Sequence, residues 1–289
     1  MSRIALATYD PGDVPTRDPD LAGLVGELRA RGADAESVRW DDAAIDWAGY
    51  DLVVIRSTWD YSWRAAEFGA WVDRVDALTR LANPAGVVRW NADKRYLGEL
   101  AAAGVPTVPT DYFAPGDPVS LPAEGEFVIK PTSGAGARFA ARYLPGEHGT
   151  ALRQISRMHA EGFTAMVQPY MPAIDVTGER ALQFFGGRLL HASRKGAVLT
   201  PGTPYDAAKV AHPRLEPWTP TPSELALAQK TLAALPHPSD LLYARIDIVD
   251  GPTHTPHLME LELIEPQLFL DLHPTSLPEV AEEIIKAAR

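Results

Sequence analysis

Tyr243-Ala-Arg-Ile-Asp247-Ile-Val249, a loop holding Gly251 and two prolines, then His257-Leu-Met-Glu260-Leu-Glu262-Leu-Ile-Glu265-Pro266 is the stretch from which the fold can be read. Both halves have the texture of strands, and the loop between them makes them a pair. Alternation in a strand sends Glu260 and Glu262 to one face and Leu261 and Leu263 to the other. Asp247 can join the two glutamates from the neighbouring strand. Carboxylates crowded in this way repel one another unless a cation lies between them, and oxygen-only ligation suits Mg²⁺. Asp247, Glu260 and Glu262 are therefore candidate metal ligands. The alternative is a solvated acidic strand face, against which the apolar residues on both flanks weigh.

The whole chain has 289 residues, enough for a large core and for two or three domains. A formal charge of −11 and the absence of any Lys/Arg run argue against a nucleic-acid partner. With no cysteine, disulfides, thiolate metal sites and thiol nucleophiles are excluded. The N-terminus turns polar too early for a signal peptide, and no apolar run reaches membrane-spanning length, so a soluble cytoplasmic protein without a membrane partner is the default expectation. A homodimer is the prior for such an enzyme.

Three textures follow one another. Through about residue 90, short apolar strands (4–8, 37–40, 52–56) alternate with helices (21–31, 65–81), the βαβ pattern of a doubly wound parallel sheet. The first strand runs into Asp10-Pro-Gly-Asp-Val-Pro, which lacks a dinucleotide-type glycine fingerprint. The middle opens with Asn91, read as the N-cap of a helix carrying Lys94 in its first turn and ending at Gly104. It continues to Glu126-Phe-Val-Ile-Lys130-Pro131, the loop Thr132-Ser133-Gly134-Ala-Gly136-Ala137, a strand over 138–144 and a helix over 150–161. The last part holds strands near 165–170, 180–185, 189–195, 242–249 and 257–264, and helices at 223–235 and 277–287. Between them, residues 200–222 carry six prolines and read as a surface loop over a site. The expected domains are 1–93, 94–166 and 167–289.

Several constellations bear on chemistry. Gly134 and Gly136, after a strand ending in Lys130, allow backbone N–H groups to approach phosphate oxygens, although a plain hairpin would read the same way. Gln168-Pro-Tyr170 ends an apolar strand at a kink where backbone groups could meet an adenine edge, or where an edge strand simply stops. Gly178-Glu179-Arg180 and Ser193-Arg194-Lys195 put basic groups on neighbouring strands, as an anion clamp or as an exposed sheet face.

The joint order is more specific than any part: a helix-borne lysine, a strand lysine followed by a glycine loop, a Gln-x-Tyr hinge, a basic strand pair, then Asp…Glu-x-Glu. In this order the chain resembles the ATP-grasp superfamily over most of its length. The resemblance implies an α/β and α+β fold with an N-terminal doubly wound domain, a small central lid and a C-terminal sheet-based domain, with ATP between the last two. It implies that Lys94 and Lys130 contact the phosphates, that Ser133, Gly134 and Gly136 close over them, and that Gln168 to Tyr170 read adenine. Asp175 and Glu179 both remain ribose candidates, and Asp247, Glu260 and Glu262 would hold Mg²⁺. Where glutathione-synthetase-like members often end in Glu-x-Asn, this chain has Glu260-Leu-Glu262, an extra negative charge at the metal.

A narrower resemblance rests on Arg56-Ser57-Thr-Trp-Asp60-Tyr61, Asn91-Ala-Asp-Lys-Arg-Tyr-Leu97 and Glu260 to Pro266. These stretches are similar to the bacterial group that includes the O-ureido-D-serine cyclo-ligase. Arg56 to Tyr61 follows a central strand, where ligands of open α/β sheets gather. In that position Arg56 would take a small amino-acid-like substrate's carboxylate and Asp60 its amine, with Ser57 and Tyr61 beside them; a buried Arg56–Asp60 packing pair would look the same. The resemblance implies carboxylate activation as an acyl phosphate, with Arg194, Arg245 and Lys195 holding the reacting oxygens, and attack by an amine-type nitrogen. An intermolecular amino-acid or peptide ligase, a phosphotransferase and a non-catalytic nucleotide-binding module are the competing readings.

Overall fold

The computed structural model describes residues 1–10, 12, 18–134, 139–203, 214–236 and 241–289. Gly136 and residues 204–213 of the proline-rich loop lie outside the described residues.

The N-terminal sheet is built from β1 (Arg3–Thr8), β2 (Asp34–Arg39), β3 (Leu52–Ser57) and β4 (Arg80–Ala82), all parallel, in the order β2-β1-β3-β4. Alternation in β1 splits its apolar residues between two layers. Ile4 and Leu6 pack with Leu24 and Leu28 of α1 (Leu21–Ala30), whereas Ala5 and Ala7 face Trp40, Phe68, Trp71, Val72 and Val75, the last four on α2 (Ala65–Leu78). Helix α3 (Ala85–Asn91) extends the second layer through Ala85 and Val88, while α4 (Tyr96–Ala102) joins the apolar layer of the C-terminal sheet described below.

A second sheet, ordered β5-β8-β6-β7, is antiparallel throughout and uses β5 (Asp111–Phe113), β6 (Phe127–Pro131), β7 (Ala141–Tyr143) and β8 (Ala165–Pro169). Phe127, Ile129, Ala141, Tyr143 and Val167 bury one face against Ala151, Ile155 and Met158 of α5 (His148–Ala160). The alternate residues Val128, Lys130, Arg142 and Gln168 therefore share the opposite face. The boundary expected between residues 166 and 167 falls inside β8.

After the short α6 (Ile174–Thr177) comes the third sheet, built from β9 (Glu179–Phe185), β10 (Arg188–Lys195), β11 (Leu215–Trp218), β12 (Tyr243–Asp250) and β13 (Pro256–Glu262). It is antiparallel, in the order β11-β10-β9-β12-β13. Its apolar face, including Leu182, Ala192, Ala244, Ile246 and Leu261, packs on Leu227 and Ala228 of α7 (Pro222–Ala233) and on Leu97 and Leu100 of α4. A capping box between Thr221 and Glu224 starts α7. The last helix, α8 (Leu277–Ala287), returns to the first sheet, where Val280, Ala281 and Ile284 join Ile4, Leu6 and Leu28.

β13 is an edge strand, and its free hydrogen-bonding groups are covered mostly by side chains, with a single backbone bridge from residues 106–108 at Leu258. Asn91 donates from Nδ2 to the Leu261 carbonyl (2.9 Å) and accepts from the Leu263 N–H (2.8 Å). The Tyr96 hydroxyl donates to the same Leu261 carbonyl (2.9 Å) and accepts from its N–H (3.0 Å). Asn83 takes the Leu263 carbonyl (2.8 Å), and Pro106 and Val108 serve Leu258. Asn91 thus corrects its expected role: it ends α3 instead of capping a helix, and its polar side chain acts as a strand-edge clamp.

Candidate active site

Cross-strand register builds the site. Lys195 lies opposite Glu179, Ser193 opposite Ala181 and His191 opposite Gln183; Ala181 and Gln183 in turn face Asp247 and Arg245, which pair with Glu260 and Glu262. Since all these positions alternate with the apolar ones, they share the polar face of the third sheet. Lys195 Nζ lies 2.6 Å from Asp247 and also pairs with Glu179. Arg245 holds Asp247 bidentately (both 2.9 Å) and pairs with Glu262.

Two further cations approach from the other sheet and from the turn before α4. Lys94 Nζ lies 3.2 Å from Glu260, and Lys130 Nζ lies 3.9 Å from it. Lys94 also donates to the Gly134 carbonyl (2.6 Å), and its backbone N–H bonds the Thr132 carbonyl (2.8 Å), which ties it to the base of the glycine loop. It sits just before α4 rather than in the first turn of a helix begun at Asn91.

Electrostatics follow from this enclosure. Burial alone would raise the carboxyls of Asp247 and Glu260, but the cations outweigh it: Arg245 and Lys195 hold Asp247 well below its usual range, and Lys94 and Lys130 lower Glu260. Lys130 is lowered, first by burial and then by the nearby Lys94 charge, with Glu260 opposing. Burial pushes Glu262 up to about 7, assisted by Asp247 and Glu260 against Arg245, and pushes Glu265 up to about 8, assisted by Glu262. Tyr61 is raised by burial and then by Glu265, Glu262 and Glu260, so the loop after β3 abuts the same acids.

The donor set for a metal is oxygen-only, with Asp247 and Glu260 directly opposed and Glu262 two positions along, which suits a hard divalent cation. Among the described residues, no three such groups form a ready-made cage. Each acid is engaged by a lysine or arginine instead.

Other expected residues have different places. Arg194 points away from Lys195, on the opposite sheet face, and bonds Glu216 (2.5 Å). Assigning it to the reacting oxygens is corrected by alternation, which separates adjacent residues of one strand. Arg180, read as part of the same clamp, is fully buried between Glu224 (2.7 Å) and Asp250 (2.5 Å).

The first loop differs similarly. Arg56 is fully buried, pairs with Asp18 (3.5 Å) rather than with Asp60, and donates to the Pro266 carbonyl (3.1 Å). Ser57 is bonded to Thr8 (2.9 Å), Asp60 accepts from Trp40 (2.8 Å) and Arg64 (3.0 Å), and Tyr61 packs on Phe68.

At the hinge, Gln168 is buried and donates to Thr110 (2.9 Å), while Tyr170 donates to Asp175 (2.6 Å). The Arg142 guanidinium stacks 3.4 Å above the Tyr170 ring and bonds Asp175 (3.2 Å) and Glu126. Both ribose candidates are thereby occupied, Asp175 by Arg142 and Tyr170, and Glu179 by Lys195. The sequence assigns no role to Arg142, His191 or His273, and none to Ser193 beyond its place before Arg194 and Lys195. Period-two alternation back from Lys195 would have put Ser193 and His191 on its face; nothing local marked Arg142 or His273.

Comparison with known proteins agrees with this architecture. The model for the N-terminal domain of D-cycloserine synthetase DcsG matches residues 4–83. Over 287 residues, the chain is 38% identical to the cycloserine biosynthesis protein DcsG of Streptomyces lavendulae, covering 93% of each chain. It superimposes on a crystal structure of D-cycloserine synthetase DcsG with a TM-score of 0.90 and 34% identity, over all of both chains. A D-alanine–D-alanine ligase of Bacillus anthracis shares the fold alone, with a TM-score of 0.69 and 15% identity over 100% of this chain and 97% of that one. Architecture and likeness together place the chain in the D-cycloserine synthetase DcsG family of ATP-grasp enzymes.

Proposed function

We propose that the chain is an ATP- and Mg²⁺-dependent cyclo-ligase that converts O-ureido-D-serine to D-cycloserine with release of ADP and phosphate, the carbamoyl group being lost with water as carbon dioxide and ammonia. The observation that carries the reading is Glu260 held between Lys94 and Lys130, two amines delivered by separate parts of the chain to a sheet face that also carries Lys195, Arg245 and three more acids.

In this reading the amines exchange a carboxylate for phosphate oxygens. Lys94 and Lys130 leave Glu260 for the triphosphate, and Lys130, whose burial disfavours its charge, gains most from an anion. Asp247, Glu260 and Glu262 would hold Mg²⁺, which when bound supplies positive charge to phosphoryl transfer. Lys195 and Arg245, pinned by Asp247, stand ready for the oxygens of the acyl phosphate. Holding carboxylate and nitrogen of one molecule in one site makes the second step intramolecular, which can offset several kcal/mol of barrier. A division into parts at about residue 94 and after β8, rather than within it at 167, belongs to the same proposal.

The test is incubation with ATP, Mg²⁺ and O-ureido-D-serine, following ADP, phosphate and product mass. Substrate-dependent ADP release with a product of D-cycloserine mass supports the reading. A product joining two amino acids, or no turnover of ATP with this substrate, overturns it.

A further inference from the structure

Beside the lysine and carboxylate cluster, the same sheet face carries a second polar group that the proposed function leaves unused. The rings of His191 and His273 stack with centroids 4.1 Å apart and planes 13° apart. His191 bonds the Leu268 carbonyl through Nε2 (2.8 Å) and Ser276 through Nδ1 (2.9 Å). A carbonyl only accepts, so the His191 proton sits on Nε2, and Nδ1 accepts from the Ser276 hydroxyl. Both edges of that ring are committed to structure.

His273 differs. Its Nε2 lies 2.9 Å from Ser193 Oγ, and Ser193 is fully buried on the same face as Lys195, two residues along β10. Among the described residues nothing bonds its Nδ1 edge. The ring is also held firmly. The loop that carries it is tied through the Pro266 carbonyl to Arg56, through the Gln267 carbonyl to Gln183 (2.6 Å), through the Leu268 carbonyl to His191 and through the Leu270 N–H to Asp20 (2.9 Å). The His273 N–H bonds the Phe269 carbonyl (3.1 Å), and Phe269 has φ +56°, a left-handed turn in a non-glycine residue. Such anchoring from four other elements fixes a side chain that packing alone does not require.

We propose that His273 is the proton acceptor of the ring-closing step, oriented by Ser193 and backed by His191. The proposal rests on the cyclo-ligase reading above. The carbamoyl group on the nitrogen bonded to the side-chain oxygen is first lost to water as carbon dioxide and ammonia, and the freed aminooxy nitrogen puts its lone pair into a new C–N bond at the acyl-phosphate carbon. The C–O bond to phosphate breaks, and phosphate leaves with that electron pair. The proton released by the nitrogen passes to Nδ1 of His273, whose Nε2–H is held on Ser193. Register places Ser193 in one row with Ala181, Asp247 and Glu260, two strands from Asp247. At roughly 4.8 Å per strand that is about 10 Å, the span of a small extended amino acid with its leaving group. The charged and titratable groups around the ring are His191 from β10, Asp271 from its own loop and Lys195 further along β10. Burial lowers His273 while Asp271 pulls it back, which keeps the imidazole neutral and able to accept.

The experiment separates the two half-reactions. Excess hydroxylamine traps an acyl phosphate as a hydroxamate and needs no enzymic base. With ATP, Mg²⁺ and O-ureido-D-serine, His273→Gln is expected to lose D-cycloserine formation by about 100-fold or more, while hydroxamate formation stays within about threefold of wild type. Ser193→Ala is expected to show the same split with a loss of about tenfold, because the base survives but turns freely. Retained cyclisation in His273→Gln overturns the proposal. So does an equal fall of both products in a variant whose melting temperature is unchanged, and if that variant does not fold, Ser193→Ala decides by the same criterion. A wild-type protein that forms neither product strikes the cyclo-ligase reading instead, since every comparison here is made against a wild type that forms both.

Discussion

Asn91→Ala tests whether the strand carrying Glu260 and Glu262 depends on a side chain for its outer edge. The change removes two hydrogen bonds at a buried position, one made by β13 at Leu261 and one by Leu263 just past its end. The Leu261 carbonyl keeps Tyr96 as a donor, whereas the Leu263 N–H loses its partner. A buried N–H left unpaired costs about 1–3 kcal/mol and the other lost bond about 1 kcal/mol, so the expected loss is about 2–4 kcal/mol. For a chain of this size that corresponds to a fall of about 5–10 °C in melting temperature, read by calorimetry or circular dichroism. Asn91→Asp keeps an acceptor for the N–H but turns an oxygen toward the Leu261 carbonyl, and is expected to be no better than alanine. ATP affinity should weaken as well, because the register of Glu260 depends on this edge. A shift within about 1 °C for Asn91→Ala would refute the edge-clamp argument.

The remaining expectations concern the site. Lys130→Ala should weaken ATP binding about 10- to 100-fold in calorimetric titration, the worth of one charge-assisted contact. Lys195→Ala should lower turnover by about 100-fold while Arg194→Ala stays within about threefold of wild type; the reverse order would mean that the strand alternation has been misread. Glu262→Gln should depress turnover and shift its Mg²⁺ requirement upward, as followed by phosphate release over a Mg²⁺ series. Burial raises the Glu265 carboxyl to about 8 from 4.5, so the protein favours its protonated form. Its stabilising effect is complete below about pH 4.5 and is lost as pH rises through about 8. Glu265→Gln should therefore melt with a flatter pH dependence than wild type between pH 6 and 9.

Most elements were legible because their periodicities were strong. The alternation at Glu260-Leu-Glu262 and the run Leu52–Ile55 required little more than the strand period, and α8 matches its expected bounds, Leu277 to Ala287. Short strands such as Asp111–Phe113 and Leu215–Trp218 were not, since three or four residues carry no pattern and exist only by pairing with a neighbour. Asn91 misled because an asparagine before an apolar run is a good helix cap, and only the tertiary fold reveals an open strand edge beside it. Within the site, the amines and acids were readable as a set, but which cation meets which acid was not. That pairing depends on cross-strand register and on the approach of a second sheet. Arg194 and Lys195 illustrate the point: adjacent in sequence, equally basic, and on opposite faces of the same sheet.

The return of α8 to the first sheet has a consequence for synthesis. A ribosome delivers residues 4–83 long before it delivers Val280, Ala281 and Ile284, yet those three help to cover Ile4 and Leu6. During translation one side of the opening sheet is therefore left partly bare, a sticky nascent surface until α8 is made and docks. A chain cut just before α8 would spare every amine and acid of the reaction centre and still yield an aggregation-prone product.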